Sequence, residues 1–283
     1  MAITRIDARR FGPWALVTGA SSGIGAELAR QLAESGIHVV LAARSRDALA
    51  VVGGELSERY GVQQRVVAID LATEGAGRTL AEACADLDVG LVACNAGVAS
   101  PGELLLQAED ELLRCVRLKV ATNLELVRAF GPRLVQRGRG GLLLVSSMGG
   151  LQGVPFVANN AATEAYVLSL GEGLHHELAP QGVFVTVLMP GPTDTPALAR
   201  MGGAADMPIA PMAVDRCVAE GLAALAANRA THVAGRANRW MSALLPRRAA
   251  TVLMGRTVGR RFAAGAVAAE RARAVLGAGE GSA

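Results

Sequence analysis

The sequence predicts an α/β protein: one domain built on a doubly wound parallel sheet. Three observations carry this. Apolar runs of strand length (14–18, 37–42, 66–70, 89–94, 142–147 and 183–189) alternate with stretches whose apolar residues recur at helical spacing. Those runs are apolar throughout, as strands covered on both faces by helices are. The first run stops at a turn, Gly19-x3-Gly23-x-Gly25, and a helical pattern (Ile24, Leu28, Ala29, Leu32, Ala33) opens directly after it. The chain of 283 residues is long enough for a large core, and it is 51% apolar but only 3% aromatic, so close-packed Ala, Val, Leu and Gly supply the bulk.

Taken in order, the glycine turn comes first. Glycines at 19, 23 and 25 let the backbone N–H groups around Ser21, Ser22 and Ile24 approach a ligand with no Cβ in the way. The helix that follows presents unpaired N–H groups and the positive end of its dipole, so a phosphate group is the natural guest. The second strand ends at Ala43-Arg44-Ser45-Arg46. In dinucleotide folds this strand end faces the adenosine ribose, where an acidic residue serves NAD. Arg44 and Arg46 instead favour the 2′-phosphate of NADP(H), through charge-assisted hydrogen bonds. A helix over 45–60 leads to the third strand and Asp70, and another helix leads to the fourth strand and Asn95-Ala96-Gly97.

A long helical segment is predicted from 103 to about 136, interrupted late by Gly131-Pro132. The fifth strand carries Ser146 and Ser147 at its carboxyl end, where ligands of such sheets bind. A helix over 156–178 and the sixth strand follow, then Pro190-Gly191-Pro192-Thr193-Asp194-Thr195. Residues 192–214, rich in Pro, Met, Ala and Gly with Gly202-Gly203 as hinge, are predicted to form a lid over an apolar substrate. A short strand near 232–233 and terminal helices complete the chain, with the last dozen residues disordered. The domain reading is 1–240 for the dinucleotide-binding domain with its lid, and 241–283 for a basic helical extension of it.

The glycine turn together with Thr18 resembles that of the short-chain dehydrogenase/reductase family, and the resemblance runs from residue 12 to about 240. It implies a seventh strand and nicotinamide cofactor binding. By this resemblance Asp70 is the adenine contact, and Asn95-Ala96-Gly97 closes over the adenine side and stabilises the central sheet. Pro190 and Gly191, with the hydroxyls of Thr193 and Thr195, meet the nicotinamide amide and the pyrophosphate. The family's chemistry uses a Ser that holds the substrate carbonyl, a Tyr that transfers the proton, a Lys four residues later that lowers the Tyr pKa and binds the nicotinamide ribose, and a helix Asn that anchors a water relay. Ser147 fits the serine. The tyrosine position holds Asn160, the lysine position Glu164, and the helix asparagine falls on Lys119, with Asn123 one turn later as a shifted substitute. The only tyrosines are Tyr60 and Tyr166, and Lys119 is the sole lysine, so no change of register restores a Tyr-x3-Lys pair.

Asn160 and Glu164 share a helix face. Fold analogy sets that face opposite Lys119, so Lys119 and Glu164 are expected to pair as a charge-reversed substitute for the lost Asn and Lys. Three functions follow: an NADP(H)-dependent oxidoreductase acting on a small or medium apolar carbonyl or conjugated compound through Ser147, Asn160 and water; an isomerase, cyclase or dehydratase using Glu164 or Lys119 as acid/base; or a catalytically inactive cofactor-binding protein or partner subunit. His175 and His176, about three turns beyond Glu164 along the helix, roughly 16 Å by its rise, are expected at the surface.

Other classes are excluded by composition. No apolar run reaches the roughly 18 residues of a membrane span, and the first residues lack the apolar core of a signal peptide, which predicts a cytoplasmic protein. Cys84, Cys94, Cys115 and Cys217 have no metal-ligand spacing and read as reduced, buried thiols. Residues 1–235 carry 19 basic and 23 acidic side chains, whereas 236–283 carry nine arginines against Glu270 and Glu280. That basic, partly apolar end is either a solvated face of terminal helices or a weak contact for a membrane surface or an anionic substrate. Scarce aromatics argue against nucleic acid. By the same resemblance, the segments 103–136 and 156–178 would pair copies into a homodimer or tetramer.

Overall fold

The structure, a computed structural model, describes residues 6–200, 203 and 210–259. The expectations for the extreme N-terminus, for Gly202 and most of the lid tip, and for the final dozen residues lie outside these. Seven parallel strands form one sheet in the order β3-β2-β1-β4-β5-β6-β7: β1 Trp14–Thr18, β2 His38–Ala43, β3 Gln64–Ala68, β4 Val89–Cys94, β5 Gly140–Val145, β6 Val183–Met189 and β7 Thr231–Val233. The order reverses between β1 and β4, which opens a crevice at their carboxyl ends. Alternate residues serve opposite layers. Ala15 and Val17 of β1 pack with Leu28, Leu32, Val218 and Leu222, while Leu16 packs with Leu126, Phe130 and Val167 on the other side.

The helices are α1 Ala8–Phe11, α2 Gly23–Glu34, α3 Arg46–Tyr60, α4 Ala76–Glu82, α5 Glu109–Val116, α6 Thr122–Arg137, α7 Ala158–Leu178, α8 Pro196–Arg200, α9 Val214–Ala226 and α10 Arg236–Leu244, with a further helix, α11, over 247–259. Their ends follow local chemistry. Ser45 caps α3 by accepting from the Ala48 N–H at 3.3 Å, and Gly61 ends it in the left-handed region at φ 67°.

The long segment expected over 103–136 differs from that reading. Leu104–Leu106 form a single 3-10 turn, Gln107 and Ala108 are extended, and α5 starts only at Glu109, where Glu109, Asp110 and Glu111 complement the helix dipole. From there the helix is continuous to Arg137 through a π-helical turn, Arg117–Ala121. Pro132 does not interrupt it. Leu126, Phe130 and Leu134 are fully buried around that proline, and their packing outweighs the ~3 kcal/mol a mid-helix proline costs. Strands β3 and β5 end two residues earlier than the apolar runs imply, leaving Asp70, Ser146 and Ser147 in loops beyond their ends. α7 begins at Ala158 rather than 156, because Phe156 takes φ 65°. His176 is exposed as expected. His175 is not a plain surface residue, since its Nδ1 lies 2.8 Å from the Val185 carbonyl.

The two ends of the segment expected to form a lid meet. Thr193 and Met212 form a parallel bridge, with the Met212 N–H donating to Pro192 O and the Asp194 N–H to Met212 O, each at 2.9 Å. Behind it, Glu220 of α9 accepts from His232 Nε2 at 3.0 Å, the Gly235 N–H at 3.0 Å and Arg239 at 2.7 Å. Burial works against the Glu220 charge, but those three donors outweigh it and hold the carboxyl below its ordinary value. This network clamps β7 and α10 to α9.

Candidate active site

The glycine turn is built for a phosphate-bearing ligand. Gly19 (φ 68°) and Gly23 (φ 55°) adopt left-handed backbone, and a Cβ on Gly25 would collide with the Gly19 carbonyl oxygen. The Ala26 N–H donates to Ser22 O at 3.3 Å, whereas the N–H groups of Gly23, Ile24 and Gly25 meet no backbone acceptor among the described residues. The Ser22 side chain does not cap them. Three orphan donors at the start of a twelve-residue helix fit a pyrophosphate.

Thr18 and Asn95 tie the two walls of the crevice together. The Thr18 hydroxyl oxygen accepts from the N–H groups of Asn95 (2.9 Å) and Ala96 (3.0 Å), and Asn95 Nδ2 donates back to Thr18 O at 3.0 Å. Thr18 is buried, so these bonds are shielded from water. Arg44 and Arg46 are exposed at the start of α3, and neither has a carboxylate at ion-pair distance among the described residues. Asp70 receives the Ala72 N–H at 3.0 Å and Arg114 Nη2 at 2.9 Å. Burial opposes its charge, but these donors and the field of Arg44 prevail and hold its carboxyl below the ordinary value. Arg114, which fixes Asp70, carried no signal in the sequence. Neither did Asn238, 3% exposed, whose amide packs so closely on the Gly191 backbone that only glycine fits there. Pro190 O receives the Met148 N–H, Thr193 is buried with its hydroxyl on Gly191 O at 3.0 Å, and the Thr195 hydroxyl caps the turn into α8 by accepting from the Leu198 N–H at 3.3 Å.

The altered positions sit together. Lys119 belongs to the π-helical turn, a local widening that recurs at functional sites. Its side chain is 5% exposed, and Nζ donates to Val145 O at 2.7 Å and pairs with Glu164 Oε1 at 3.3 Å. A Cβ on Gly97 would lie 3.4 Å from that ammonium, an ordinary contact, so the Asn95-Ala96-Gly97 segment borders it. Glu164 Oε2 is buried without a partner among the described residues. Asn160, one turn earlier on α7, holds the loop after β4: its Oδ1 accepts from the Ser100 N–H at 3.0 Å and its Nδ2 donates to Val98 O. Ser147 lies one residue past Ser146, whose hydroxyl donates to Glu164 O at 2.9 Å. Its oxygen accepts from the Gly149 N–H at 3.1 Å, which leaves its hydrogen for a ligand. Asn123 is 1% exposed in α6, and its Nδ2 meets no acceptor among the described residues.

The glycine turn, the switch-point crevice and the hydroxyls beyond β5 are those of a nicotinamide-dinucleotide oxidoreductase fold, and the family model described as short chain dehydrogenase matches residues 13–204. The chain belongs to that family. It is 32% identical over 184 residues to human very-long-chain 3-oxoacyl-CoA reductase, a match covering 64% of this chain and 59% of that one. Among solved structures it resembles a 7β-hydroxysteroid dehydrogenase (TM-score 0.81, 28% identity, 88% of this chain and 99% of that one). It also resembles a short-chain dehydrogenase from Sphingobium yanoikuyae in complex with NADPH (TM-score 0.75, 30% identity, 82% and 92%).

Proposed function

We propose that the protein is an NADP(H)-dependent oxidoreductase acting on a carbonyl in an apolar compound, with Ser147 and the Lys119–Glu164 pair taking over the proton transfer that the family's tyrosine and lysine perform. The observation that carries this is the buried ammonium of Lys119, 3.3 Å from Glu164 and beside Gly97. The chemistry the nicotinamide supplies when bound is hydride transfer to the carbonyl carbon, which leaves the oxygen in need of one proton. Ser147 gives its hydroxyl proton to that oxygen and is reprotonated from Lys119 Nζ through water. A proton taken up from solvent at the unpartnered oxygen of Glu164 then passes to Lys119 and restores the ammonium. Asn160 keeps the loop over the site in place rather than relaying protons, since both ends of its amide are engaged. Arg44 and Arg46 select the 2′-phosphate. An apolar substrate agrees with the names of the similar proteins, which act on a 3-oxoacyl thioester and a steroid.

A second reading, a cofactor-binding protein without turnover, is favoured by Val145 O and Glu164 engaging two of the three N–H donors of Lys119. One experiment separates the two. The purified protein is titrated with NADPH and NADH by calorimetry, then assayed for NADPH loss with 3-oxoacyl thioesters and bulky ketones. Tighter NADPH binding that Arg44→Glu/Arg46→Glu reverses, together with turnover that Ser147→Ala abolishes, is the expected result. Binding without turnover selects the second reading, and failure to bind either nucleotide removes both.

A further inference from the structure

We propose that α10 and α11 form a docking surface for an anionic lipid bilayer, seated on the outer face of these helices. The outward side of a terminal helix is expected to be polar. Here it is apolar and basic. On α10, Trp240 is 66% and Leu244 72% exposed, on the same side as exposed Arg236 and Ala237. On α11 the exposed positions 249, 252, 253 and 256 fall on one face, which presents Val252 (54%) and Leu253 (44%) beside Arg256, with Arg248 at its edge. The opposite face of α11 is its packing face. Ala250 is buried, Gly255 lies against Pro155, and Gly259 against the Phe156 ring. The exposed apolar residues are therefore not a core face turned the wrong way.

Charge decides the partner. Residues 236–259 contain five arginines and no Asp or Glu, while the rest of the chain up to 235 has an acidic excess. Arginines flanking exposed Trp, Leu and Val match the headgroup layer of an anionic bilayer, where the cations meet lipid phosphates and carboxylates and the indole sits at the apolar boundary. No helix among the described residues is long and apolar enough to cross a membrane, so the contact is with the surface. The location ties it to the site. Pro155 and Phe156, on which α11 rests, lie between Ser147 and Asn160, and Phe156 O receives the Gly102 N–H at 2.7 Å. Leu105 (93% exposed) and Leu106 (80%) follow a few residues beyond that bond. The surface does not depend on the proton chemistry proposed above.

The test uses the full chain and two vesicle compositions, phosphatidylcholine alone and phosphatidylcholine with about a third phosphatidylserine, in a flotation assay at low and high salt. Expected is flotation with the serine-containing vesicles only, release by salt, and a blue shift of Trp240 emission in a Trp14→Phe background. Trp240→Ser/Leu244→Ser/Val252→Ser/Leu253→Ser and, separately, Arg236→Gln/Arg247→Gln/Arg248→Gln/Arg256→Gln should each weaken partitioning at least tenfold while leaving the circular dichroism and NADPH binding unchanged. Equal flotation with both compositions, no flotation, or a serine variant that changes only the oligomeric state by light scattering overturns the proposal. The last result would assign the face to a second copy of the chain.

Discussion

Removing the Lys119 ammonium should destabilise the fold far more than removing its partner's charge. At 3.3 Å, opposite unit charges attract by about 5 kcal/mol at an effective dielectric of ~20. Each ion loses several kcal/mol of hydration on burial, so the intact pair is close to neutral for stability. Breaking it is not. Lys119→Met leaves the Glu164 carboxylate, one of whose oxygens already lacks a partner, facing an apolar side chain, and it strips Val145 O of its donor. An uncompensated buried charge costs about 3–5 kcal/mol, the lower end applying because buried pairs vary with residual solvent contact. Glu164's side chain retains 16% exposure, so about 3 kcal/mol is expected. Glu164→Gln leaves the Lys119 ammonium without its counter-charge, but the amide oxygen and Val145 O remain as acceptors for it, for a loss of about 1–2 kcal/mol. The double variant removes both charges and should cost less than the sum, with a coupling of about 2 kcal/mol. Urea titration of the apoprotein followed by circular dichroism reads these values, provided the m-value is constant across the four proteins. A Lys119→Met loss below about 0.5 kcal/mol, the range of surface substitutions, or a coupling of zero would refute the reasoning.

Gly25→Ala should abolish nucleotide binding and cost about 1–3 kcal/mol of stability, since the new methyl meets the Gly19 carbonyl and the Asn95 amide; calorimetry and urea titration check the two effects. All four cysteines are buried and unpaired, and burial pushes Cys94 and Cys217 up to about 12 and Cys84 up to about 11. A thiol reagent at pH 8 should therefore find almost no reactive group in the native protein and four after unfolding. Glu220, whose carboxyl is held below the ordinary value of 4.5, contributes stability that is present above that value and lost as pH falls through its folded value. Glu220→Gln should lower stability at neutral pH and flatten the acid limb below about pH 4.5. An acid limb identical to that of the parent would show that the network on His232, Gly235 and Arg239 does not act through the Glu220 charge.

The sheet was legible because parallel strands covered on both faces must be apolar along their whole length, and Val89–Cys94 and Val183–Met189 have the bounds the apolar runs predict. The segment around 103–108 was misread for the complementary reason. Leu104, Leu105 and Leu106 look like the start of an apolar helix face, but they stand 44%, 93% and 80% exposed, and nothing in their composition separates an exposed apolar turn from a buried one. Pro132 misled because tertiary packing overrides local propensity. In the site, the turn was legible from glycine spacing, and the meeting of Lys119 with Glu164 from helix geometry and fold analogy. Contacts that depend on a side chain reaching across loops, Arg114 to Asp70 and Asn238 to Gly191, leave no periodic or spaced signal.

The altered residues are coupled through a closed path of contacts. Asn160 on α7 holds Val98 and Ser100; the same loop includes Gly97, which borders the Lys119 ammonium; Lys119 pairs with Glu164, which returns the path to α7 one turn from Asn160. In the family pattern the lysine sits on the same helix as the tyrosine and lowers its pKa from one turn away. Here the positive charge comes from the neighbouring helix and the carboxylate takes the lysine's place, so a phenol at position 160 would lie one turn from a negative charge and have its pKa raised rather than lowered. An amide that binds backbone on both sides is compatible with that field because it carries no charge to be destabilised. On the correspondence proposed for Asn160, Glu164 and Lys119, the three departures from the family pattern amount to one change of polarity, with Asn160 the neutral residue that the exchanged charges permit.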